Sequence, residues 1–104
     1  MKRRINGRVY DTQTAQLINH YRDPHDPQDD QYYEESLYLK RTGEYFLYGS
    51  GNADSKYAKF SYGLSNNLQP GKIIFPLTKK QAVNWAEVHM TVSQYICWFG
   101  YPEV

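Results

Sequence analysis

Cysteine is almost absent from this sequence, since Cys97 is the only one among its 104 residues. A single thiol excludes an internal disulfide and a zinc site built on cysteines. This usage is typical of a reducing compartment, and we expect a cytoplasmic protein. The aromatic surroundings of the thiol, Tyr95-Ile96-Cys97-Trp98-Phe99, predict that it is buried and inert.

Long apolar runs and an excess of one charge are missing as well. No apolar run is long enough to cross a membrane and none follows Lys2-Arg3-Arg4, so we expect neither a membrane span nor a signal peptide. Twelve Lys and Arg against eleven Asp and Glu give a net charge of +1, which argues against binding by bulk charge alone. With 40% hydrophobic and 22% charged residues, residues 1–104 are predicted to fold as a single domain.

The motifs of the common enzyme classes are also lacking. The sequence contains no G-x-S-x-G, no Walker-type loop and no dinucleotide fingerprint. His20, His25 and His89 are far apart and form no helical metal-binding pair. We therefore expect no catalysis, no cofactor and no metal site, and we expect His89 to be a packed or interfacial residue.

Tyrosine, by contrast, is abundant, with eleven residues spread over the whole chain. A tyrosine ring suits half-buried sheet surfaces and contact surfaces alike, and its hydroxyl seeks a hydrogen-bond partner. The tyrosines therefore indicate one of two things. Either a small β-rich domain uses Tyr where a larger one would use Leu or Ile, or the chain carries an aromatic contact surface for a protein or a nucleic acid.

Turn signals and β-favouring runs predict a small antiparallel sheet. Its clearest element is a central β-hairpin over about residues 37–48, with Gly43 supplying a positive φ in the turn. Asn6-Gly7 predicts another tight turn between short extended segments. Residues 15–21 fit both a period of two and a helical face, and we favour a strand. Two further strands are predicted over residues 57–64 and, as a buried strand, 72–75.

The C-terminal part of the chain predicts helix. Thr78 and Gln81 have the spacing of a capping box before a helix over about residues 79–90. A short terminal helical turn follows, after Thr91 or Ser93. Strands followed by a C-terminal helix that covers one face of the sheet make the predicted fold class α+β.

Negative charge is concentrated in an acidic Pro- and Asp-rich loop at about residues 23–31 and in the residues that follow it. Positions 23–35 hold six carboxylates and no Lys or Arg. Three interpretations stay open: a solvated loop held open by self-repulsion, a docking patch for a basic protein surface, or a cation site, although the spacing does not match a calcium loop. The candidate partner-binding residues are Asp23, Asp26, Asp29, Asp30, Tyr32, Tyr33, Glu34 and Glu35.

Positive charge is segregated too. Basic residues cluster at the start of the chain, and five lysines between positions 56 and 80 have no acid among them. The lysines that lie beside Tyr57, Phe60 and Tyr62 indicate either solvated side chains next to core aromatics or a patch that grips a nucleic-acid backbone and stacks bases.

Motifs along nearly the whole chain agree in order and spacing with one group of proteins. The matching segments are Ile5-Asn6-Gly7, Tyr10-Asp11-Thr12-Gln13-Thr14-Ala15, Glu35-Ser36-Leu37-Tyr38, Lys40-Arg41-Thr42-Gly43-Glu44-Tyr45-Phe46-Leu47-Tyr48-Gly49, Ile73-Ile74, Pro76-Leu77, Trp85-Ala86-Glu87, His89, Tyr95 and Phe99-Gly100. They resemble a family of small proteins encoded on phages, plasmids and conjugative elements of Firmicutes. Most members are of unknown activity, but small proteins of this genetic setting include anti-CRISPR proteins, which block RNA-guided nucleases.

The chain departs from this family pattern in two places. It has a Pro- and Asp-rich stretch from Asp23 to Asp30 where members usually have glycine and serine, and it has Ile96 where they tend to be charged. Such departures indicate either a function different from that of the family or a contact surface particular to this protein. The resemblance carries over no functional residue.

Two functions of different classes are consistent with these features. The first is a non-catalytic inhibitor of a host defence nuclease, with a type II CRISPR nuclease as the candidate partner and the acidic residues standing in for phosphates. The alternative is a nucleic-acid-binding accessory or regulatory protein of the mobile element. Its phosphate contacts would come from Arg3, Arg4, Arg8, Lys56 and Lys59. A homodimer formed through the Trp98-containing helix is a third hypothesis.

Overall fold

The computed structural model describes residues 1–60 and 68–101, which form eight strands and two helices. The strands are β1 (Lys2–Ile5), β2 (Arg8–Asp11), β3 (Gln16–Arg22), β4 (Tyr33–Leu39), β5 (Tyr45–Gly51), β6 (Lys59–Phe60), β7 (Leu68–Gln69) and β8 (Gly71–Leu77). The helices are α1 (Lys79–His89) and α2 (Val92–Phe99). The predicted α+β fold class is confirmed. No helix among these residues is long and apolar enough to span a membrane.

The four long strands form one antiparallel sheet in the order β3-β4-β5-β8. The predicted hairpin is its centre, because β4 and β5 pair without interruption from Tyr33↔Gly51 to Leu39↔Tyr45. Gly43 has φ 90° in the connecting turn, a backbone conformation that favours glycine. The hairpin prediction is therefore confirmed, and the pairing continues beyond it to residues 33 and 51.

A second hairpin, β1-β2, covers one face of this sheet. Asn6 and Gly7 adopt φ of 52° and 76°, the two left-handed residues that a tight hairpin turn requires, so the predicted turn is confirmed. Tyr10 of β2 is buried against Phe46 and Ile74 of the sheet, and the Tyr10 and Phe46 rings meet edge to face at 5.5 Å. This contact closes an apolar core between the hairpin and the sheet.

The helices cover the opposite face. Ala82 and Ala86 of α1 are fully buried, and their small side chains let the helix approach the sheet closely. Ala82 shares a core with Ile18, Leu37 and Leu47. The domain therefore has three layers, with the β1-β2 hairpin on one side of the sheet and the helices on the other.

Both helices begin at a Thr-x-x-Gln capping box. Thr78 and Gln81 form the predicted one at α1, and the same reciprocal hydrogen bonds join Thr91 and Gln94 at α2. The second box makes α2 a helix of eight residues, longer than the short turn expected, and Gly100 ends it with φ 80°.

A β-bulge in β3 explains why its sequence fits two periodicities. The register shifts between Leu17 and Asn19, so that Ile18 has no partner in β4. Ile18 is thereby buried in the core beneath α1, whereas Leu17 is 48% exposed. The favoured strand is confirmed, and the extra residue is what made its pattern resemble a helical face.

The strand predicted over residues 72–75 is present within β8, but the prediction that it is buried is wrong. β8 lies at an edge of the sheet, where only Ile74 is buried and Ile73 is 37% exposed. Pro76 fits this position because an edge strand tolerates a residue without an N–H. Of the strand predicted over residues 57–64, only Lys59–Phe60 is extended and paired, and positions 61–64 lie outside the described residues.

Most tyrosines pack within the domain. Of the ten that the structure describes, only Tyr101 is exposed, at 85%, and the others are buried or half-buried. Several form ring contacts within the sheet, such as Tyr38 stacked on Phe46 at 5.1 Å. The structure therefore favours the first interpretation of the tyrosine content, in which the rings serve the core.

Core packing predicts unequal costs for two leucine truncations. Leu37→Ala removes a fully buried side chain and should lower the free energy of unfolding by about 2–5 kcal/mol. Leu17→Ala, at the bulge and half-exposed, should cost less than about 1 kcal/mol. Urea unfolding followed by tryptophan fluorescence measures both. Equal losses would contradict the layer assignment.

Candidate functional site

The acidic segment is a loop between β3 and β4, and it is built from consecutive turns. The N–H of Asp29 donates to the carbonyl of Asp26 at 2.8 Å, and that of Tyr32 donates to the carbonyl of Asp29 at 3.0 Å. Two side-chain carboxylates also accept from the backbone two residues ahead, Asp26 from Gln28 at 2.9 Å and Asp29 from Gln31 at 2.8 Å. The loop is thus ordered by its own hydrogen bonds.

A second segment, residues 52–58, holds the acidic loop from the side. The Asn52 amide donates to the carbonyls of Pro27 and Asp29 at 2.9 and 2.8 Å, and the Asp54 N–H donates to the carbonyl of Asp30 at 2.7 Å. Asp54 is exposed and so adds a carboxylate to the same surface. Sequence reasoning missed both residues because they lie 20 or more positions after the loop.

The structure divides the eight candidate partner-binding residues. Asp26, Asp29 and Asp30 are exposed, and none of them forms an ion pair with a described residue. Together with Asp54 they form what we call the acidic surface. These carboxylates are available to a partner.

The other five candidates are engaged within the molecule. The buried ones are Asp23, Tyr32 and Glu35, with exposures of 9%, 7% and 2%. Tyr33 and Glu34 are half-buried. Alternation along β4 places Glu35 on the helix-covered face and Glu34 on the opposite one, so the members of this set that stay exposed are Asp26, Asp29 and Asp30. A partner-binding role for the eight residues stays a prediction.

Glu35 is the centre of a polar cluster on the helix-covered face. Its carboxylate accepts hydrogen bonds from the Tyr57 hydroxyl, from Trp85 Nε1 at 2.9 Å and from Lys56 Nζ at 2.7 Å. His89 Nε2 lies 3.7 Å from it. The donors come from α1 and from the 52–58 segment, so one buried carboxylate joins both to β4.

Aromatic rings enclose this cluster. The His89 ring lies 4.1 Å from that of Tyr21 and 4.7 Å from that of Trp85, and the Lys56 ammonium stands 4.6 Å above the Tyr33 ring. Because His89 packs inside this set, the expectation that it is a packed residue is confirmed. Glu35 itself is only 2% exposed, whereas the Lys56 side chain is 53% exposed.

Burial and hydrogen bonding act in opposite directions on Glu35. Burial favours its protonated form, but the hydrogen bonds from Lys56, Tyr57 and Trp85 outweigh it and hold the pKa of Glu35 below its ordinary value of 4.5. Burial and the bond to Glu35 raise the pKa of Tyr57, and burial raises that of Tyr33 to about 12. Near neutral pH the cluster therefore holds an ionised carboxylate among neutral phenols.

A hydrogen-bonded chain on the opposite face of β4 has the order of groups found in serine hydrolases. Ser36 Oγ lies 2.6 Å from His20 Nδ1, and His20 Nε2 lies 2.6 Å from Glu34. Ser36 is buried in the central part of the sheet, where the neighbouring backbone N–H groups serve strand pairing. The chain thus ties His20 of β3 to Ser36 and Glu34 of β4 across the strands.

Three of the basic residues are engaged with carboxylates of the same molecule. Arg8 pairs with Glu44 at 2.9 Å, Lys2 approaches Asp11 at 3.8 Å, and Lys56 is bonded to Glu35. The aromatic flank expected beside the lysines is only partly visible, because the side chains of residues 60 and 62 lie outside the described part of the chain. In that part, no group of three His, Cys, Asp or Glu could hold a metal ion.

The environment of Cys97 in helix α2 differs from the one that the sequence predicts. Cys97 is exposed, which corrects the prediction of a buried residue. Trp98 and Phe99 are the side chains of this helix that pack against the core, so the helix turns Cys97 to solvent. Beside them, an open apolar groove of about 200 Å³ lies between α1 and α2, lined by Ala86, Glu87, Met90, Val92 and Tyr95.

The Glu35 cluster predicts a pH dependence that His89 controls. Burial lowers the pKa of His89 below 6.5, so the unfolded chain binds a proton more readily than the folded one. The stabilisation from neutral His89 is therefore complete above pH 6.5 and is lost as the pH falls through its lowered folded value. Glu35, whose pKa is also lowered, adds a loss of the same sign below pH 4.5. His89→Gln should flatten the stability profile between pH 7 and 5 in urea unfolding; parallel profiles would contradict the assignment.

Comparison of the chain with protein-family models, with curated proteins and with solved structures finds no match in any of the three.

Proposed function

We propose that the protein is a non-catalytic binding protein of mobile-element origin that inhibits a host RNA-guided nuclease, the candidate partner being a type II CRISPR nuclease. The acidic surface would occupy the basic channel in which the nuclease holds nucleic acid. The observation that carries this proposal is the acidic surface itself: Asp26, Asp29, Asp30 and Asp54 are exposed, without ion pairs among the described residues, and fixed on hydrogen-bonded backbone.

Order in the acidic loop matters because a disordered loop would lose conformational freedom on binding. Fixing a flexible segment costs about 1–2 kcal/mol per residue, which a preorganised loop avoids. The turns from Asp26 to Tyr32 and the two bonds from the Asn52 amide supply this order in the free protein. The carboxylates are thereby presented as a set, as the phosphates of a nucleic-acid backbone are.

Charge clustering also favours a basic partner. A patch of one sign speeds association with an oppositely charged cleft and repels nucleic acid. The resemblance to small proteins of phages, plasmids and conjugative elements supports a host defence enzyme as that partner. Nucleases that bind guide RNA and DNA have the positively charged channel that such a patch would fill.

The nucleic-acid-binding alternative has less support from the geometry. Of its five candidate phosphate contacts, Arg8 and Lys56 are engaged with Glu44 and Glu35. Arg3 donates to the carbonyl of Ile74 at 3.3 Å. The alternative still predicts binding to DNA or RNA with a steep salt dependence, and absence of binding at low salt would exclude it.

Removing charge from the acidic surface should weaken inhibition strongly without unfolding the protein. In the triple variant Asp26→Asn, Asp29→Asn and Asp30→Asn, the asparagine side-chain oxygens keep the turn hydrogen bonds, and only the charges are lost. We expect inhibition to weaken about 10- to 100-fold. The measurement is a DNA-cleavage titration against a panel of type II CRISPR nucleases, with the protein added before or after guide loading.

The control compares single neutralisations in different places. Glu87→Gln removes an exposed carboxylate from α1, away from the acidic surface, and should leave inhibition unchanged, whereas Asp29→Asn should weaken it. Undiminished inhibition by the triple variant, with urea unfolding showing an intact fold, would overturn the acidic surface as the contact site.

A further inference from the structure

A continuous path of contacts links the buried Glu35 to the exposed acidic surface. We propose that Glu35 and Lys56 are positioning residues for this surface, because their ion pair fixes the 52–58 segment on which the acidic loop rests. The inference deepens the proposed function and rests on it for the role of the loop as a contact site. Its three steps run from the carboxylate, through the segment, to the loop.

The first step ties the segment to the carboxylate. Lys56 and Tyr57 are neighbours in the chain, and both bond to the same carboxylate oxygen of Glu35. The Tyr57 ring lies directly over Gly49, where a Cβ would overlap it. This glycine is paired with Glu35 across β4 and β5, so the ring reaches the carboxylate across a site without a side chain.

Hydrogen bonds within the 52–58 segment connect Asn52 to Tyr57 and Ala58 through Ser55. Asn52 accepts from the Ser55 N–H at 3.1 Å and from its hydroxyl at 2.8 Å. The Ser55 oxygens in turn accept from the N–H groups of Tyr57 at 3.2 Å and Ala58 at 3.0 Å. Ser55 is also seated on Gly51, where a Cβ would clash with it. A displacement of Lys56 and Tyr57 therefore moves Asn52 as well.

The 52–58 segment in turn holds the acidic loop through hydrogen bonds from Asn52 and Asp54. The side chain of Asn52 bonds two loop carbonyls, its N–H donates to the carbonyl of Tyr32 at 2.9 Å, and the Asp54 N–H donates to that of Asp30 at 2.7 Å. Four hydrogen bonds thus join the segment to the loop that carries the acidic surface. Asp54, which belongs to that surface, lies on the segment itself.

Lys56 is the member of the pair whose removal tests the path. Among the described residues it is the only lysine or arginine bonded to Glu35, and the remaining donors, Tyr57 and Trp85, are neutral. Without the ammonium, a buried carboxylate loses its compensating charge, and it regains solvation most readily if the segment moves away. Lys56 is half-exposed, so its replacement leaves the apolar cores intact.

Amide hydrogen exchange by NMR measures the coupling directly. In Lys56→Met, the N–H groups of Asn52 and Asp54 should exchange at least about tenfold faster than in the natural sequence, while those of Gly43 and Met90 should not change. Lys56→Arg keeps the charge and should restore slow exchange. Lys59→Met, which removes an exposed ammonium three residues away, is the matched control and should leave exchange as it was.

Inhibition of the nuclease identified in the cleavage titration gives a second readout, because charge alone and the positioning role predict changes in opposite directions. Loss of a positive charge beside an acidic surface should strengthen binding to a basic channel if charge alone decides. The positioning role predicts the opposite for Lys56→Met, a weakening of about tenfold, but not for Lys59→Met. Unchanged exchange at Asn52 and Asp54, or inhibition that strengthens equally in both variants, would overturn the inference. Should no nuclease respond to the natural protein, the proposed function fails, and the exchange result alone decides whether Lys56 positions the loop.

Discussion

One buried carboxylate joins three separate parts of this fold: strand β4, helix α1 and the 52–58 segment. Removing a charge from water costs several kcal/mol unless the charge is paired and hydrogen-bonded, so Glu35 is tolerated only where its donors converge. Those donors come from the 52–58 segment and from α1, and they reach one residue of β4. An arrangement in which either element were displaced would leave the carboxylate buried without compensation. The cluster therefore favours a single placement of the segment and the helix on the sheet. Apolar packing alone discriminates less strongly between alternative placements.

Alternation along β4 explains how an apolar core and a polar cluster share one face. Leu37 and Glu35 are two residues apart and point to the same side of the sheet, the first toward Ala82 and the second toward Trp85. The opposite face carries the apolar core under the β1-β2 hairpin and, farther along the strands, the Ser36–His20–Glu34 tie. The end of the sheet near Glu35 is thus held by polar contacts on both faces, and from this end the acidic loop projects.

Local signals predicted the elements of this fold well, whereas contacts between distant segments were beyond them. Asn6-Gly7, Gly43 and the Thr78 capping box each act within a few residues, and all three are found as predicted. The edge position of β8 and the exposure of Cys97 depend on which elements lie beside them, information that composition does not hold. The same limit applies to the site. A run of carboxylates marks the acidic loop, but nothing near Glu35 in the chain shows that Lys56, Tyr57 and Trp85 meet there. In the sequence, a buried glutamate looks the same as an exposed one, and only the alternation of side chains along a strand distinguishes the two.

The near-neutral charge of the whole chain does not weaken an acidic contact surface. At physiological ionic strength the Debye length is about 8 Å, so a partner in contact feels the nearby charges and little of the total. What matters is whether a cation lies among the carboxylates. Lys56 lies two residues after Asp54 in the chain, and its ammonium is bonded to Glu35. The buried carboxylate engages this lysine, and among the residues that the structure describes Asp26, Asp29, Asp30 and Asp54 form no ion pair. The ion pair that we propose to position the loop thus also keeps the charge of Lys56 engaged away from the acidic surface, and both effects require Glu35 and Lys56.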